Sequence, residues 1–366
     1  MSPLQKAHWQ LHFCVLLWGF TPLLGALISL PAPQLVWWRM GLVALLLLAL
    51  PGVVRGIFAL PRRLFFIYAG IGVIVALHWL AFYGAIKLAN ASIAATCLGA
   101  ATAFTAVIEP LVTGRKFIAR DLWLGFAVIP GVVLVAGGLT SGQIIGFVVG
   151  VLAALGATLF TSFNKRFIDG ADPKVVTALE LGAGALFMTI ALPFLPHEGA
   201  IYPLPAARDA WLMAIFVVFC TALPFTLSLV SLKHLSAFAA QMAVNLEPVY
   251  AVALAAVFLG ERDELTTQFY LGVAILFAAV FLGRHLVAEL RRTRGQVREL
   301  RLRDRLSRVV RRRGEWLRGV AADTREDRHA PVGRRHDLGV VPQGEDVSRV
   351  VRRQRRQAQA FGFQDR

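Results

Sequence analysis

Residues 87–99 read KLANASIAATCLG, and residues 233–245 read KHLSAFAAQMAVN. A shift of 146 residues (233 minus 87) superimposes the two stretches, so that their lysines align and Asn90 falls on Ser236. Apolar segments resemble one another by chance, and this pair alone proves little. The test is whether the sequence downstream of each stretch keeps the same register.

The register does continue downstream. It aligns Gly114-Arg115-Lys116 with Gly260-Glu261-Arg262, and after one inserted residue it aligns Leu124-Gly125 with Leu271-Gly272. The lysine loop, the glycine-charge loop and the Leu-Gly pair therefore recur in one order. We interpret the chain as two copies of one unit.

The repeated stretches are embedded in an apolar chain. Of its 366 residues, 57% are hydrophobic, and the mean hydropathy is +0.63. A run of about 20 apolar residues crosses a bilayer as a helix, because lipid offers no partner for exposed backbone groups. Ten such spans are predicted: Trp9–Leu30, Gln34–Val54, Leu64–Ile86, Ala91–Val112, Leu122–Leu139, Ile144–Phe163, Val175–Leu195, Asp209–Leu232, Ala237–Leu259 and Thr267–Val287.

The repeat shift moves along the chain by five spans. Since five is odd, the two copies face opposite directions in the membrane. The sequence thus predicts an all-α integral membrane protein with ten transmembrane helices in two inverted five-helix repeats. We expect the first repeat at residues 1–140, the second at 141–288 and a basic cytoplasmic tail at 289–366.

Positive charge in the loops predicts the orientation, because cytoplasmic loops are enriched in Lys and Arg. With the N-terminus in the cytoplasm, eleven of these residues lie in cytoplasmic segments, and three, Lys87, Arg208 and Arg262, lie outside. An even number of spans returns the C-terminus to the cytoplasm. We expect a multi-pass protein of a bacterial inner membrane with both termini cytoplasmic.

The tail carries most of the charge. Residues 291–366 contain 22 arginines and 10 acidic residues, so they contribute +12 (22 minus 10) to the net charge of +16 of the whole chain. Apolar residues spaced along 286–306 predict an amphipathic helix that binds anionic lipid, and the composition beyond about residue 320 predicts disorder. Because the excess positive charge lies mostly in the tail and not over the whole protein, nucleic-acid binding is not expected.

Motifs of enzymes and ATP-driven pumps are missing from the sequence. It contains no Walker loop, no GxSxG and no HExxH motif, and Cys14, Cys97 and Cys220 have no metal-ligand spacing. We therefore predict no catalytic residues, no cofactor and no metal site.

Proline and glycine punctuate the spans. A proline inside a helix removes a backbone hydrogen bond and kinks the helix. Six prolines fall within predicted spans: Pro22, Pro110, Pro130, Pro193, Pro224 and Pro248. The small residues Gly146, Gly150 and Ala154 recur at four-residue intervals, which predicts close packing of the sixth span on a neighbouring helix.

Ionisable side chains inside the spans are candidate functional residues, because they are costly to place in lipid. Glu247 lies near the middle of the ninth span, directly before Pro248 and two residues after Asn245. A carboxylate beside a kink can bind a cation or a proton, and Asn245 can contribute to the same site. The alternative is a protonated or paired glutamate that only fixes helix packing.

Two other charged candidates lie closer to the ends of their spans. Arg39 of the second span can pair with an anionic substrate group or with Glu247, or it can extend to the membrane interface. Glu180 can line a polar path or lie at the interface, and its place near the predicted cytoplasmic end of the seventh span slightly favours the interface.

The third span contributes an aromatic group around a histidine. His78 lies near its middle, with Trp79, Phe82 and Tyr83 beside it. A histidine can relay protons near neutral pH, but packing with a hydrogen bond is its more frequent role. The rings, including that of Tyr83, either wall a substrate cavity or belong to the aromatic belt at the interface.

These segments resemble the drug/metabolite transporter superfamily, in particular its EamA-like family. The residues that carry the likeness are Leu17-Trp18-Gly19-Phe20 with Pro22, Arg39, the stretch from His78-Trp79 to Ser92, Asn245-Leu246-Glu247-Pro248-Val249-Tyr250, and Leu259-Gly260-Glu261-Arg262. The resemblance covers about residues 10–286 and implies ten helices in two inverted repeats that move small metabolites. The first span lacks the acid on which the small multidrug exporters of this superfamily rely, which argues against their proton-coupled mechanism.

The leading hypothesis is a gradient-driven secondary transporter whose partners are a small metabolite or drug-like solute and the lipid bilayer; a homodimer stays open. A second hypothesis is a membrane receptor or scaffold that recruits partners through the basic tail. A membrane-embedded enzyme is the third, and the missing motifs argue against it. The inverted repeat favours the transporter, because two inverted halves can exchange conformations and move a central site between the faces.

Overall fold

The computed structural model describes residues 1–195, 199–261, 265–275 and 278–279. These residues belong to one compact unit, Met1–Arg292. Every regular element within them is a helix, in agreement with the predicted all-α class. The predicted basic tail at 289–366 lies outside the described residues.

Many of the helices are interrupted. The α-helices are Pro3–Trp18, Thr21–Leu27, Ala32–Leu48, Val53–Phe58, Arg62–Leu88, Ala91–Cys97, Ala101–Thr113, Ala119–Phe126, Ile129–Gly137, Ile144–Phe167, Pro173–Ala191, Ala207–Val217, Leu223–Leu232, Ala237–Val244 and Glu247–Phe258. Short 3₁₀ turns occupy Leu98–Ala100, Ser141–Gln143, Ile168–Gly170 and Leu192–Phe194, and a π-helical turn occupies Val218–Ala222. Residues 267–275 are also α-helical.

Eight of the predicted spans are helical segments that are long and apolar enough to cross a membrane. Within the described chain these are Pro3–Leu27, Arg62–Leu88, Ala91–Thr113, Ala119–Gly137, Ser141–Gly170, Pro173–Phe194, Ala207–Leu232 and Ala237–Phe258. The second predicted span is the shorter apolar helix Ala32–Leu48. Only residues 267–275 and 278–279 of the tenth span are described.

The second span ends earlier than the predicted Gln34–Val54. The reason is local, because Pro51 has no N–H to donate and Gly52 takes a left-handed conformation with φ of 87°. A short separate helix, Val53–Phe58, follows this turn.

The repeated lysine loops end in equivalent helix caps. Asn90 caps the fourth span, and its side-chain oxygen accepts a bond from the Ile93 N–H at 2.9 Å. Ser236, which the shift of 146 residues aligns with Asn90, caps the ninth span, and its Oγ accepts from the Ala239 N–H at 3.0 Å. The repeat seen in the sequence therefore begins at a helix start in both copies.

Each of these helix starts also receives a carboxylate from the end of the other helix. Glu261, after the ninth span, accepts from the N–H groups of Ala91 and Ser92, both at 2.9 Å. In the reciprocal contact, Glu109 near the end of the fourth span accepts from Ala237 at 3.0 Å and from Phe238 at 2.8 Å. The fourth and ninth spans therefore run antiparallel, as the inverted repeat requires.

Both spans are interrupted at equivalent positions. The fourth changes to a 3₁₀ turn at Leu98–Ala100, and the ninth breaks between Val244 and Glu247. The two breaks meet where the Asn245 Nδ2 donates to the Thr102 Oγ1 at 2.5 Å. A polar side-chain bond thus joins the two predicted repeats at mid-helix.

Prolines free carbonyl groups that other side chains then use. Pro22 cannot donate to the Trp18 carbonyl, and the Thr21 hydroxyl donates to it instead at 2.7 Å. The same arrangement occurs at Pro193, where the Tyr202 hydroxyl donates to the carbonyl four residues earlier at 2.6 Å. Because lipid cannot satisfy a free carbonyl, these side chains stabilise the kinks.

Small residues allow the sixth span to pack closely on its neighbours. A Cβ at Gly146 would lie 2.6 Å from the Cβ of Ala89, and one at Gly150 would lie 2.8 Å from the Sγ of Cys97. Ala154, the third member of the predicted row, is fully buried. The prediction of a close-packed face is confirmed.

The tightest approach of a glycine to another backbone joins the third and seventh spans. A Cβ at Gly72 would lie 2.1 Å from the backbone carbonyl oxygen of Glu180. Backbone atoms cannot yield as a flexible side chain does, so only glycine fits at this position.

We predict that Gly72→Ala destabilises the protein by about 1–3 kcal/mol, the usual range for overpacking. The control is Gly70→Ala on the same helix, where a Cβ meets no atom within 4 Å. That control should be neutral or slightly stabilising, because alanine is the better helix former. Thermal unfolding of both variants in detergent checks this, and equal Tm values for the two would contradict the packing described.

Candidate functional site

A cavity of about 100 Å³ lies among seven of the spans. The first, second, third, fourth, sixth, eighth and ninth spans contribute side chains, so both predicted repeats line it. Its wall is mainly apolar and aromatic, with a few polar groups that include Arg39, His78, Asn164 and Glu247. This composition is typical of sites for small molecules.

Arg39 is the cation of this cavity. Its Nε donates to the Thr221 Oγ1 at 2.7 Å, its Nη2 donates to the Cys220 carbonyl at 3.2 Å, and its Nη1 donates to the Tyr83 hydroxyl. Only 2% of the residue surface is exposed. Arg39 therefore does not extend to the membrane interface, which was one of the two alternatives for it.

The Cys220 carbonyl is free to accept from Arg39 because of Pro224. In a regular helix the N–H of residue 224 would donate to this carbonyl, and proline has none. The chain forms a π-helical turn here, Val218–Ala222, and the Thr221 hydroxyl donates to the Phe216 carbonyl at 2.8 Å. Such turns often lie at functional sites, and this one presents two acceptors to one guanidinium.

Two aromatic rings pack against the guanidinium group. Its central carbon lies 3.9 Å from the ring centroid of Trp79 and 4.2 Å from that of Phe216. A desolvated cation against aromatic faces gains electrostatic stabilisation. The packing and the three hydrogen bonds together fix the direction of the remaining N–H groups.

Tyr83 completes the environment of Arg39. Its side chain is 1% exposed, and its ring packs against the backbone of Gly25, where a Cβ would lie 2.7 Å away. Both Tyr83 and Trp79 line the cavity. Of the two alternatives for these rings, the cavity wall is the one observed.

His78 has the hydrogen-bonded packing that was one alternative for it, and it also lines the cavity, whereas the proton relay stays a prediction. The Ala153 carbonyl lies 2.7 Å from its Nδ1. A carbonyl can only accept, so Nδ1 carries the proton and Nε2 can accept a bond. The ring also packs against Phe82 and Phe160 and lines the cavity.

Glu247 contributes a carboxyl group to the same cavity. It begins the second half of the ninth span and is 5% exposed. Among the ion pairs that the described residues form, none joins Arg39 to Glu247 within 4 Å. The cavity therefore presents a guanidinium group and a carboxyl group that are not in direct contact as an ion pair.

The remaining two candidates do not line the cavity within the described chain. Asn245 bonds to Thr102 at the crossing of the two spans. Glu180 is fully buried within the protein, which the sequence did not predict. Sequence position gives depth along a helix but not the face, and Glu180 faces Asn164 of the sixth span, whose Nδ2 donates to it at 3.2 Å.

Sequence reasoning missed several residues of the wall. Thr221 and Asn164 supply polar groups, and Phe160 and Phe225 supply apolar surface. Pro224 could have indicated Cys220 and the adjacent Thr221, since a proline frees the carbonyl group four residues earlier. Asn164 was visible as a polar residue in an apolar span.

The site shows no metal-binding arrangement. No group of three or more His, Cys, Asp or Glu side chains that could hold a metal ion is found among the described residues. The three cysteines are buried thiols without disulfides.

Comparison with known proteins agrees with this architecture. A sequence model of the EamA-like transporter family matches the chain twice, at residues 6–137 and 144–283. A relative in Bacillus subtilis (strain 168), described as the uncharacterized transporter YxxF, is 30% identical over 164 residues. That alignment covers 44% of this chain and 49% of the relative, so the chain matches about half the length of that protein.

The fold also occurs among solved structures. A crystal structure of a protein matches with a TM-score of 0.59 at 15% identity, covering 77% of this chain and 98% of the other. At this level of identity the match concerns the fold.

We predict that Arg39→Lys destabilises the protein by about 2–3 kcal/mol, because an ammonium cannot reproduce the three directed bonds and the ring contacts. The control is Arg55→Lys, at an exposed position of the helix Val53–Phe58. Its Tm should equal that of the wild type. Thermal unfolding in detergent measures both, and an unchanged Tm for Arg39→Lys would show that these contacts contribute little.

Proposed function

The chain belongs to the EamA-like transporter family, and we propose that it is a secondary active transporter that uses a gradient to move a small metabolite or drug-like solute across the membrane. Gradient-driven transport is favoured because the sequence contains no nucleotide-binding loop. The coupling and the substrate are part of the proposal.

One observation carries the proposal. Arg39 and Glu247 are both buried, they line one cavity, and each comes from a different predicted repeat. Charges at membrane depth are costly, and a protein that only needed to fold would be expected to neutralise or replace them. A transported solute with complementary groups would stabilise both.

The wall indicates the type of solute. Aromatic rings of Trp79, Phe82, Phe160 and Phe225 offer apolar surface, and the free N–H groups of Arg39 can bind an anionic group. Glu247 can bind a cationic or hydrogen-bond donating group. We infer a small solute with an apolar body and at least one charged group.

The antiparallel crossing supports movement of this site between the faces. Inverted halves with equivalent helices can exchange conformations, and a cavity between them then opens to either side. We propose repeats at residues 1–140 and 141–288 with both termini in the cytoplasm. The twofold family match and the reciprocal caps at Ala91 and Ala237 support this division.

Uptake into proteoliposomes tests the function. The full chain is reconstituted, and a panel of radiolabelled amino acids, organic acids, nucleosides and cationic drugs is offered under proton and sodium gradients. We expect at least one amphipathic charged solute to move. If no solute moves under any gradient while the cellular role depends on the basic tail, the result contradicts the transporter and favours the scaffold hypothesis.

For a solute that the wild type moves, Glu247→Gln should lower flux by about tenfold or more, because the amide keeps the shape but loses the charge that faces the cavity. The control is Asp169→Asn, which removes an exposed acid outside the cavity and should leave flux unchanged. Initial rates at equal amounts of inserted protein provide the measurement. Wild-type flux in Glu247→Gln would remove this residue from the proposed site.

A further inference from the structure

A second carboxyl group lies behind the cavity wall. Glu180, on the helix Pro173–Ala191, has no exposed surface and does not line the cavity within the described chain. The third span covers its backbone at Gly72, in the close contact described above. Neither lipid nor bulk water therefore reaches this carboxyl group.

The hydrogen bonds around Glu180 are incomplete. Its Oε2 accepts from the Asn164 Nδ2 at 3.2 Å, whereas its Oε1 has no partner in the described residues. The Oδ1 of Asn164 is also buried without a partner there. Two neighbouring acceptors lack a donor, and a buried acceptor without one is unfavourable.

No cation compensates the carboxyl group. Among the described residues, no Lys, Arg or His side chain forms an ion pair with Glu180 within 4 Å. The helices around Glu180 carry the cavity-lining Arg39 and His78, and Tyr68, whose hydroxyl donates to the Phe167 carbonyl at 2.6 Å. Lys165 donates to the Leu232 carbonyl at 2.6 Å. The other cations on these helices are exposed: Arg55, Arg62, Arg63, Lys87, Arg166 and Lys174. An unpaired carboxylate in such surroundings is strongly disfavoured.

One proton would remove both deficits. It neutralises the carboxyl group, and the new O–H supplies the missing donor. An amide presents donors on one side and an acceptor on the other. In the observed orientation Asn164 donates to the carboxyl group, as an ionised carboxylate requires, and after a half-turn of the amide it can accept from the protonated acid.

Asn164 also connects Glu180 to the cavity. Its side chain lines the cavity on one side and bonds to the carboxyl group on the other. A hydronium ion held at the cavity wall by Asn164 can give a proton to a carboxylate oxygen of Glu180. One O–H bond of the hydronium ion breaks, one O–H bond forms on the carboxyl group, and a water molecule remains; release reverses these changes. No other reactant is needed.

We propose that Glu180 is a proton-binding site of this transporter, reached from the solute cavity through Asn164. This proposal rests on the proposed function. It assigns different roles to the two acidic residues. Glu247 faces the solute directly, whereas Glu180 binds a proton without occupying solute space. Solute and proton can then be bound together.

Infrared difference spectroscopy tests the site with the proton as the sole probe. The full reconstituted chain is titrated from acidic to alkaline buffer, and the carbonyl band of protonated carboxylic acids is followed. We expect one such band to disappear in Glu180→Gln and to remain in Asp169→Asn. A band of full amplitude in Glu180→Gln overturns the proposal.

A second variant guards against misfolding of the first. Asn164→Leu keeps the carboxyl group but removes its bonding partner and the link to the cavity. We expect the same band at a shifted frequency and a slower response to a pH jump. An unchanged frequency and rate would exclude Asn164 as the link.

Transport distinguishes coupling from mere proton binding. With a solute found in the panel, Glu180→Gln should lose accumulation driven by a proton gradient by about tenfold or more, yet keep exchange of labelled for unlabelled solute. Accumulation equal to wild type, or a loss confined to sodium-driven uptake, overturns the coupling role. If the wild type moves no solute, the proposed function fails, and the infrared titration still decides whether Glu180 binds a proton.

Discussion

In a bilayer, each backbone N–H and C=O group must find its partner inside the protein, because lipid offers none. Helix starts and proline kinks are where this requirement is hardest to meet. The start of the fourth span is satisfied by Asn90 of its own chain segment and by Glu261 from the far end of the ninth. The ninth span is satisfied in return by Ser236 and Glu109. The same bonds that complete two helix ends also hold the two predicted repeats together in opposite directions.

The candidate site follows from the same constraint. Pro224 leaves the Cys220 carbonyl without a helical donor, and Arg39 becomes that donor. A charged group is thereby kept deep in the protein, where it would otherwise be unfavourable, and it is oriented toward a cavity that also contains Glu247. One interaction thus satisfies a carbonyl group at a kinked helix and positions a candidate binding group.

Most of the fold could be predicted from the sequence because the spans are long and almost entirely apolar. Aligning Asn90 with Ser236 located two equivalent helix starts without any structure. The reciprocal caps were beyond prediction, because Glu109 and Glu261 do not occupy equivalent positions in the two copies. The burial of Glu180 was missed for a related reason: depth along a span can be read from the sequence, whereas the face toward a neighbour depends on how the helices pack.

Sidedness of the two copies tests the central claim most directly. In a background without Cys14, Cys97 and Cys220, the variants Leu88→Cys and His234→Cys place one thiol at equivalent, exposed ends of the third and eighth spans. A membrane-impermeant maleimide should label Leu88→Cys in intact cells and His234→Cys only in inside-out vesicles. Labelling of both variants from the same side would contradict two halves that face opposite ways around a shared cavity.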